Sequence, residues 1–186
     1  TMPRRLLGLA AAAVGAGAMY IAYRLLRQKL AHDAHRAVVR EAYAKTVRGE
    51  QGCCVSKGDR GAAIGYSDAD RALAQRLDID MGIGCGNPVE LAALKKGETV
   101  VDLGSGAGFD CLIAAQRVGP TGRSIGVDMT PDMLDKARLA AKEAGISNVE
   151  FTHGALEKLP LANGFADAVI SNCVINLCAD KAAACR

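Results

Sequence analysis

The chain has 186 residues, half of them hydrophobic and 23% charged, with a net charge of +3. That is enough for one domain with a sizeable core plus an extension, and without a Lys/Arg patch interleaved with aromatics it argues against nucleic-acid binding. Seven cysteines, odd in number and with no C-x-x-C pair, argue against a secreted disulfide framework or a zinc ribbon and point to a reducing compartment with working thiols.

Arg4 and Arg5 precede an uncharged run from Leu6 to Tyr23, and Arg24, Arg27 and Lys29 follow it. The run sits at the lower edge of the roughly 17–25 residues that span a bilayer as a helix. Gly8, Gly15 and Gly17 weaken it as a span, and the Arg-rich start, free of acids up to Asp33, also fits an organellar transit peptide. The readings are a signal anchor with the rest of the chain facing the cytosol, a transit peptide, and a buried helix. The expected location is accordingly a membrane contacted through Leu6–Tyr23, an organelle, or the cytoplasm. Leu30 to Val47 reads as a polar, Ala-rich helix with His32 and His35 on an exposed face.

Arg48 to Gly65 is a glycine-rich loop holding Cys53 and Cys54. Ser67 or Asp68 caps a short helix through Leu77. A second glycine-dense loop, Met81-Gly-Ile-Gly-Cys-Gly-Asn-Pro88, centres on Cys85, and Pro88 opens a helix to Leu94. From Gly97 strand and helix alternate. Strands are predicted at Thr99–Leu103, Ser124–Val127, Asn148–Thr152 and Asp167–Ser171. Helices are predicted at Asp110–Val118, from Pro131 to Ala144 with Thr130 as cap and Gly145 as C′ residue, and from Ala179 to Arg186. This alternation predicts an α/β fold with a doubly wound, mostly parallel sheet of order 3-2-1-4. The organisation expected is an extension over 1–47, a cysteine- and glycine-rich segment over 48–96, and an α/β domain over 97–186. Strand four would form an open apolar edge, so the sequence reads as incomplete.

The first predicted strand ends in a loop with glycine at 104, 106 and 108, followed by a helix start. Missing Cβ atoms and the free N–H groups of a first helical turn suit an anionic or carboxylated cofactor. A dinucleotide fingerprint would need glycine where Phe109 stands. The pattern Asp102-x-Gly104-Ser105-Gly106-x-Gly108 instead resembles the first motif of class I S-adenosylmethionine (SAM) methyltransferases. In such a sheet the ligand lies beyond the carboxyl ends of the strands. Strand two ends in Asp128, whose carboxylate suits the two ribose hydroxyls of an adenosyl group. Met129 follows, placed to pack on the adenine. Strand three runs into Gly154-Ala155-Leu156-Glu157, where the adenine edge would lie. Strand four ends in Ser171-Asn172-Cys173, which puts a thiol at the mouth of the cofactor site. Cys85, between two glycines, and Cys53 and Cys54 are further loop thiols. Cys111, on the first crossover helix, reads as a small buried hydrophobe.

Soft thiolates select thiophilic centres, arsenic among them. Ile83-Gly-Cys-Gly-Asn-Pro-Val89, Val101-Asp-Leu-Gly-Ser-Gly-Ala-Gly-Phe-Asp-Cys111, Ile125-Gly-Val-Asp-Met-Thr-Pro-Asp-Met133 and Ser171-Asn-Cys-Val-Ile-Asn-Leu177 resemble the arsenite SAM-methyltransferase family over about Arg48 to Arg186. The basic, apolar N-terminus has no counterpart in that pattern. The resemblance implies SAM as cofactor, held by Asp102, Gly104, Ser105, Gly106, Gly108, Asp128, Met129, Ala155, Leu156 and Asn172. It implies As(III) on Cys85 and Cys173, with a further arsenic-binding cysteine beyond strand four to which no position of this sequence is assigned. It also implies a redox thiol at Cys53 or Cys54, the choice being open, and a cellular thiol reductant such as glutathione or thioredoxin. The partners implied are arsenite or its thiol conjugates, with no nucleic acid. Two rivals share parts of this pattern: a SAM methyltransferase for another small acceptor, which has no use for Cys85, and a non-catalytic thiol protein that binds arsenite.

Overall fold

The computed structural model describes the backbone of residues 4–50 and 64–185, with side chains from residue 21 onward. Chain contacts divide it into Thr1–Val38 and Val39–Arg186. Helix α1 spans Arg4–Val47, joining what the sequence reads as two segments. Arg24 to Lys29 contains only good helix formers and no glycine or proline, so nothing breaks the helix there. The side chains of Leu6 to Tyr20 lie outside the described ones, and among the described residues no helix is long and apolar enough to cross a membrane.

The sheet has the order β3-β2-β1-β4, all pairs parallel. Its strands are β1 (Thr99–Leu103), β2 (Arg123–Asp128), β3 (Val149–His153) and β4 (Ala168–Ser171). The alternation of β1 decides its faces. Val101 and Leu103 join Ile125, Val127 and Leu156 on one side, whereas Val100 packs with Ile113, Ala114 and Val118 on the other. Those last three belong to helix α4 (Phe109–Val118). Beside it runs α5 (Pro131–Ala144), closed by Gly145 at φ 67°. Met133, Leu134, Ala137 and Ala141 of α5 meet Leu112, Phe151, Leu77 and Ile79, with Tyr43 and Val47 of α1 packed against them.

Helix α2 (Asp68–Arg76) begins with a capping box between Ser67 and Asp70. Asp70 is buried, and Arg117 of α4 pairs with it at 3.2 Å, so α2 is tied to the first crossover helix. Helix α3 (Pro88–Leu91) starts at Pro88 as the sequence predicts but stops short of Leu94, because Ala93 turns to φ 47°. The last predicted helix contracts to α6 (Lys181–Ala184), capped by Asp180, whose carboxylate accepts the Ala183 N–H at 2.9 Å. A single 3₁₀ turn, Ile175–Leu177, precedes it. Thr130 is the N-cap of α5, but its side chain makes no cap bond. The Asp128 carboxylate accepts the Thr130 N–H instead, at 2.8 Å. Among the described strands β4 is an edge, with Val169 exposed.

Candidate active site

The carboxyl end of β1 opens into the glycine loop, and each loop position does a different job. Gly108, at φ 88°, lies against Phe151 and Ala137, where an added Cβ would come within 2.8 and 3.0 Å. It is a packing glycine. Gly106, at φ 52°, has nothing nearer a Cβ position than Met133 Sδ at 4.0 Å, and its N–H is held at 3.0 Å by Asp128. Gly104 lies under Val174. Beside the loop is a solvent-open cleft of about 640 Å³, lined by Asp102, Gly104, Ser105, Gly106, Asn172, Tyr66, Asp80 and Asp110, among others. A larger hollow of about 950 Å³ lies along β4, walled by Leu156, Leu159, Leu161, Phe165 and Val169. It lacks the glycine loop and the carboxylate cluster.

Three carboxylates in or beside the cleft, Asp102, Asp110 and Asp128, are pushed above the ordinary carboxylate range. Burial pushes Asp102 well above the usual carboxylate range, and Asp110 reinforces this. Its hydrogen-bond donor is the buried Cys111 thiol at 3.4 Å. Burial raises Asp110 too, opposed by hydrogen bonds from Tyr66 and Asn172. Asp128 is raised by burial against the pull of the Thr130 and Gly106 N–H groups. One Asp128 oxygen accepts the Gly106 N–H and the other the Thr130 N–H, which ties the end of β2 to the glycine loop.

Cys85 and Cys173, 88 residues apart in sequence, are joined as a disulfide with Cα atoms 6.0 Å apart. Cys173 takes φ 55°, a left-handed conformation unusual for a non-glycine residue, at the turn out of β4. Cys85 is exposed and Cys173 half-buried. Cys111 and Cys178 are buried free thiols, and Cys185 is exposed. Burial raises the Cys111 thiol well above its ordinary value, which suits a packing role rather than reactivity.

The expected site residues separate into groups. Asp102, Gly104, Ser105, Gly106 and Asn172 share the cleft, and Asp128 borders it through Gly106. Met129 is half-buried and its carbonyl meets His153 Nε2 at 3.1 Å. Ala155 forms a bridge with Lys158, and Leu156 is buried in the core beneath the sheet. Cys53 and Cys54 lie outside the described residues. Tyr66 is the residue the sequence did not reveal. Its hydroxyl donates to Asp110 at 2.6 Å from inside the core, and no motif marks it.

The methyltransferase-domain family profile matches residues 94–186. The chain belongs to that family. Its four-stranded sheet is the class I SAM-dependent methyltransferase fold. The chain is 46% identical over 137 residues to the arsenite methyltransferase of Halobacterium salinarum, covering 73% of the chain and 35% of that protein. It is 50% identical over 44 residues to the arsenite methyltransferase of Aquipseudomonas alcaligenes, covering 22% of the chain and 13% of that protein. The crystal structure of CrArsM, an arsenic(III) S-adenosylmethionine methyltransferase from Chlamydomonas reinhardtii, matches with TM-score 0.54 and 39% identity, over 64% of this chain and 44% of that one. The methyltransferase domain here thus accompanies a chain that spans about a third of the Halobacterium protein's length.

The cleft fits SAM on its own evidence. Ser105 Oγ is buried without a partner, Gly106 leaves its Cβ position open, and the Asp128 carboxylate lies against the loop through the Gly106 N–H.

Proposed function

We propose that this domain serves a SAM-dependent arsenite methyltransferase, with As(III) held by the thiolates of Cys85 and Cys173. The observation that carries the reading is the convergence of two cysteines from distant segments, one exposed and one half-buried, beside the glycine-loop cleft. Packing explains Cys111, but it does not explain an exposed cysteine between two glycines.

Gly106 and Ser105 would hold the cofactor against the loop, Asp128 would accept its ribose hydroxyls, and the acidic wall of Asp102 and Asp110 would face its amino-acid end. SAM supplies, when bound, an electrophilic methyl group on a sulfonium. The chain's own task is to load and aim the acceptor. Each thiol exchanges with an arsenic–hydroxide bond, forming sulfur–arsenic and releasing water, so two thiols give a chelated As(III) with its lone pair retained. Fixing that centre beside the cleft supplies proximity and orientation, which are worth most for a transfer that needs no acid or base. A reduced Cys85–Cys173 pair is required, and glutathione or thioredoxin is the reductant class that would restore it.

The test is arsenite titration of the reduced chain, together with transfer of labelled methyl from SAM. Cys85→Ser and Cys173→Ser should each weaken arsenite binding and stop methyl transfer to it, with SAM affinity nearly unchanged. Arsenite binding at wild-type affinity by Cys173→Ser would exclude the two-thiol site.

A further inference from the structure

Asn172 sits between the two thiols and the glycine-loop helix, and every polar atom of its amide is used. Its Oδ1 accepts the Cys85 N–H at 2.9 Å. Its Nδ2 lies 2.9 Å from the Gly86 carbonyl, 3.0 Å from Asp110 Oδ2 and 3.2 Å from the Tyr66 hydroxyl. Tyr66 donates to the other Asp110 oxygen and lies 3.0 Å from the same Gly86 carbonyl. The Cys85 N–H bond fixes which way the amide points, since only the oxygen can accept there. Gly84 completes the fit, because a Cβ at that position would come within 3.0 Å of Asn172 Nδ2.

The consequence is geometric. Cys85 lies in a loop that belongs to no helix or strand. Cys173 is the residue after Asn172, on the turn that leaves β4. The amide therefore pins the backbone of one thiol to the residue adjoining the other. Asp110, in the first turn of α4, anchors the amide in turn to the helix that leaves the glycine loop.

We infer that Asn172, backed by Tyr66 and Asp110, is a positioning residue that holds the Cys85 and Cys173 thiols at chelating distance from each other. The inference deepens the arsenite reading by naming what sets the bite of the thiol pair, but it can be measured without arsenic.

The readout is the thiol–disulfide equilibrium of the chain in a glutathione buffer. Two protein thiols and one oxidised glutathione give the Cys85–Cys173 disulfide and two reduced glutathiones, so the equilibrium constant reports the effective concentration of one thiol at the other. Asn172→Ala should lower that constant about tenfold or more, the scale set by losing the acceptor of the Cys85 N–H together with the amide's donation to the buried Asp110 carboxylate. Tyr66→Phe keeps the ring packed on Phe109 (centroids 4.6 Å apart) and removes only the hydroxyl. It should lower the constant less, because the bond to Cys85 survives, and it serves if the alanine variant does not fold.

Asn148→Ala is the matched control. The Asn148 amide lies within 2.9, 2.9 and 3.3 Å of the carbonyls of Ala115, Gly119 and Gly122. These lie at the far end of α4 and the turn into β2, at the opposite end of the sheet from Cys173. This variant should lose stability without changing the thiol equilibrium. A constant within twofold of wild type in both Asn172→Ala and Tyr66→Phe overturns the inference. So does an equal fall in Asn148→Ala, which would mark a general loosening. If the wild-type chain fails to bind arsenite while Asn172→Ala still weakens the disulfide, the arsenite reading falls and the positioning role stands.

Discussion

Replacing Gly108 with alanine separates two costs that are usually confounded. The residue is at φ 88°, and its added Cβ would meet Phe151 Cζ at 2.8 Å and Ala137 Cβ at 3.0 Å. Ala137 is in the middle of α5 and Phe151 is on β3, both in the main core, so neither is free to swing away. The left-handed backbone alone costs a non-glycine residue about 1–2 kcal/mol, and forcing a methyl into a packed interior adds about 1–3 kcal/mol. Gly145 supplies the comparison, since it has φ 67° but nothing within 4 Å of its Cβ position. Gly145→Ala should therefore show the backbone cost alone, and Gly108→Ala the sum, about 2–5 kcal/mol. Urea unfolding of the two variants and wild type, read by circular dichroism, measures both. Equal losses would refute the overpacking argument and return Gly108 to the role of a cofactor-facing glycine. Calorimetry adds a second discriminator. If Gly108 acts only in packing, folded Gly108→Ala should still bind SAM.

Other outcomes follow from the cleft. Asp102 has a raised folded pKa, so the folded chain holds its proton more tightly than the unfolded chain, in which it titrates near about 3.9. Stability then falls as pH rises from that value through the folded pKa, and Asp102→Asn should be the more stable form at neutral pH, the gap closing in acid. Urea midpoints at several pH values test this, and a gap that widens on acidification would contradict it; Asp110 and Asp128, also raised, leave a residual slope in both proteins. Asp128→Ala should weaken SAM binding about tenfold or more through loss of a charged acceptor worth about 1.5–3 kcal/mol, with unchanged calorimetric affinity as the refuting result. Cys111→Ser should lower the thermal midpoint but leave arsenite affinity within error, because its thiol is buried and bonded to Asp102 rather than open to solvent.

The alternation of strands and helices after Gly97 was legible because each element carries its own local signal. Thr99–Leu103 is a short β-rich apolar run, and Pro131 to Gly145 carries both ends of its helix in its letters. The strand order followed from those elements together with the rule for doubly wound sheets. The thiol pair was named through loop position and family resemblance, and the fold brings it together. What stayed hidden depends on contacts between segments remote in sequence. Tyr66 and Asp110 meet across 44 residues, and nothing local to either predicts the other. The division of labour among Gly104, Gly106 and Gly108 is likewise invisible in a motif that writes them alike, because it depends on whether Val174, open space or Phe151 lies above each. The ends of α3 and α6 fell short of their predicted limits because a single turn decides them, at Ala93 and Asp180.

The register of the sheet also sets how much chain each half of the cleft must close. The glycine loop meets Asp128 across 22 residues, but β4 reaches β1 only across a separation of 68, as between Ser171 and Leu103. Closing the longer loop costs about 1 kcal/mol more in chain entropy, and contacts of long sequence separation form late for that reason. On that ground the glycine loop is expected to pair with Asp128 before Asn172 and Cys173 reach the cleft, an order that pulsed hydrogen exchange during refolding would check. A chain caught midway would present a formed glycine loop and a Cys85 whose disulfide partner has not yet arrived.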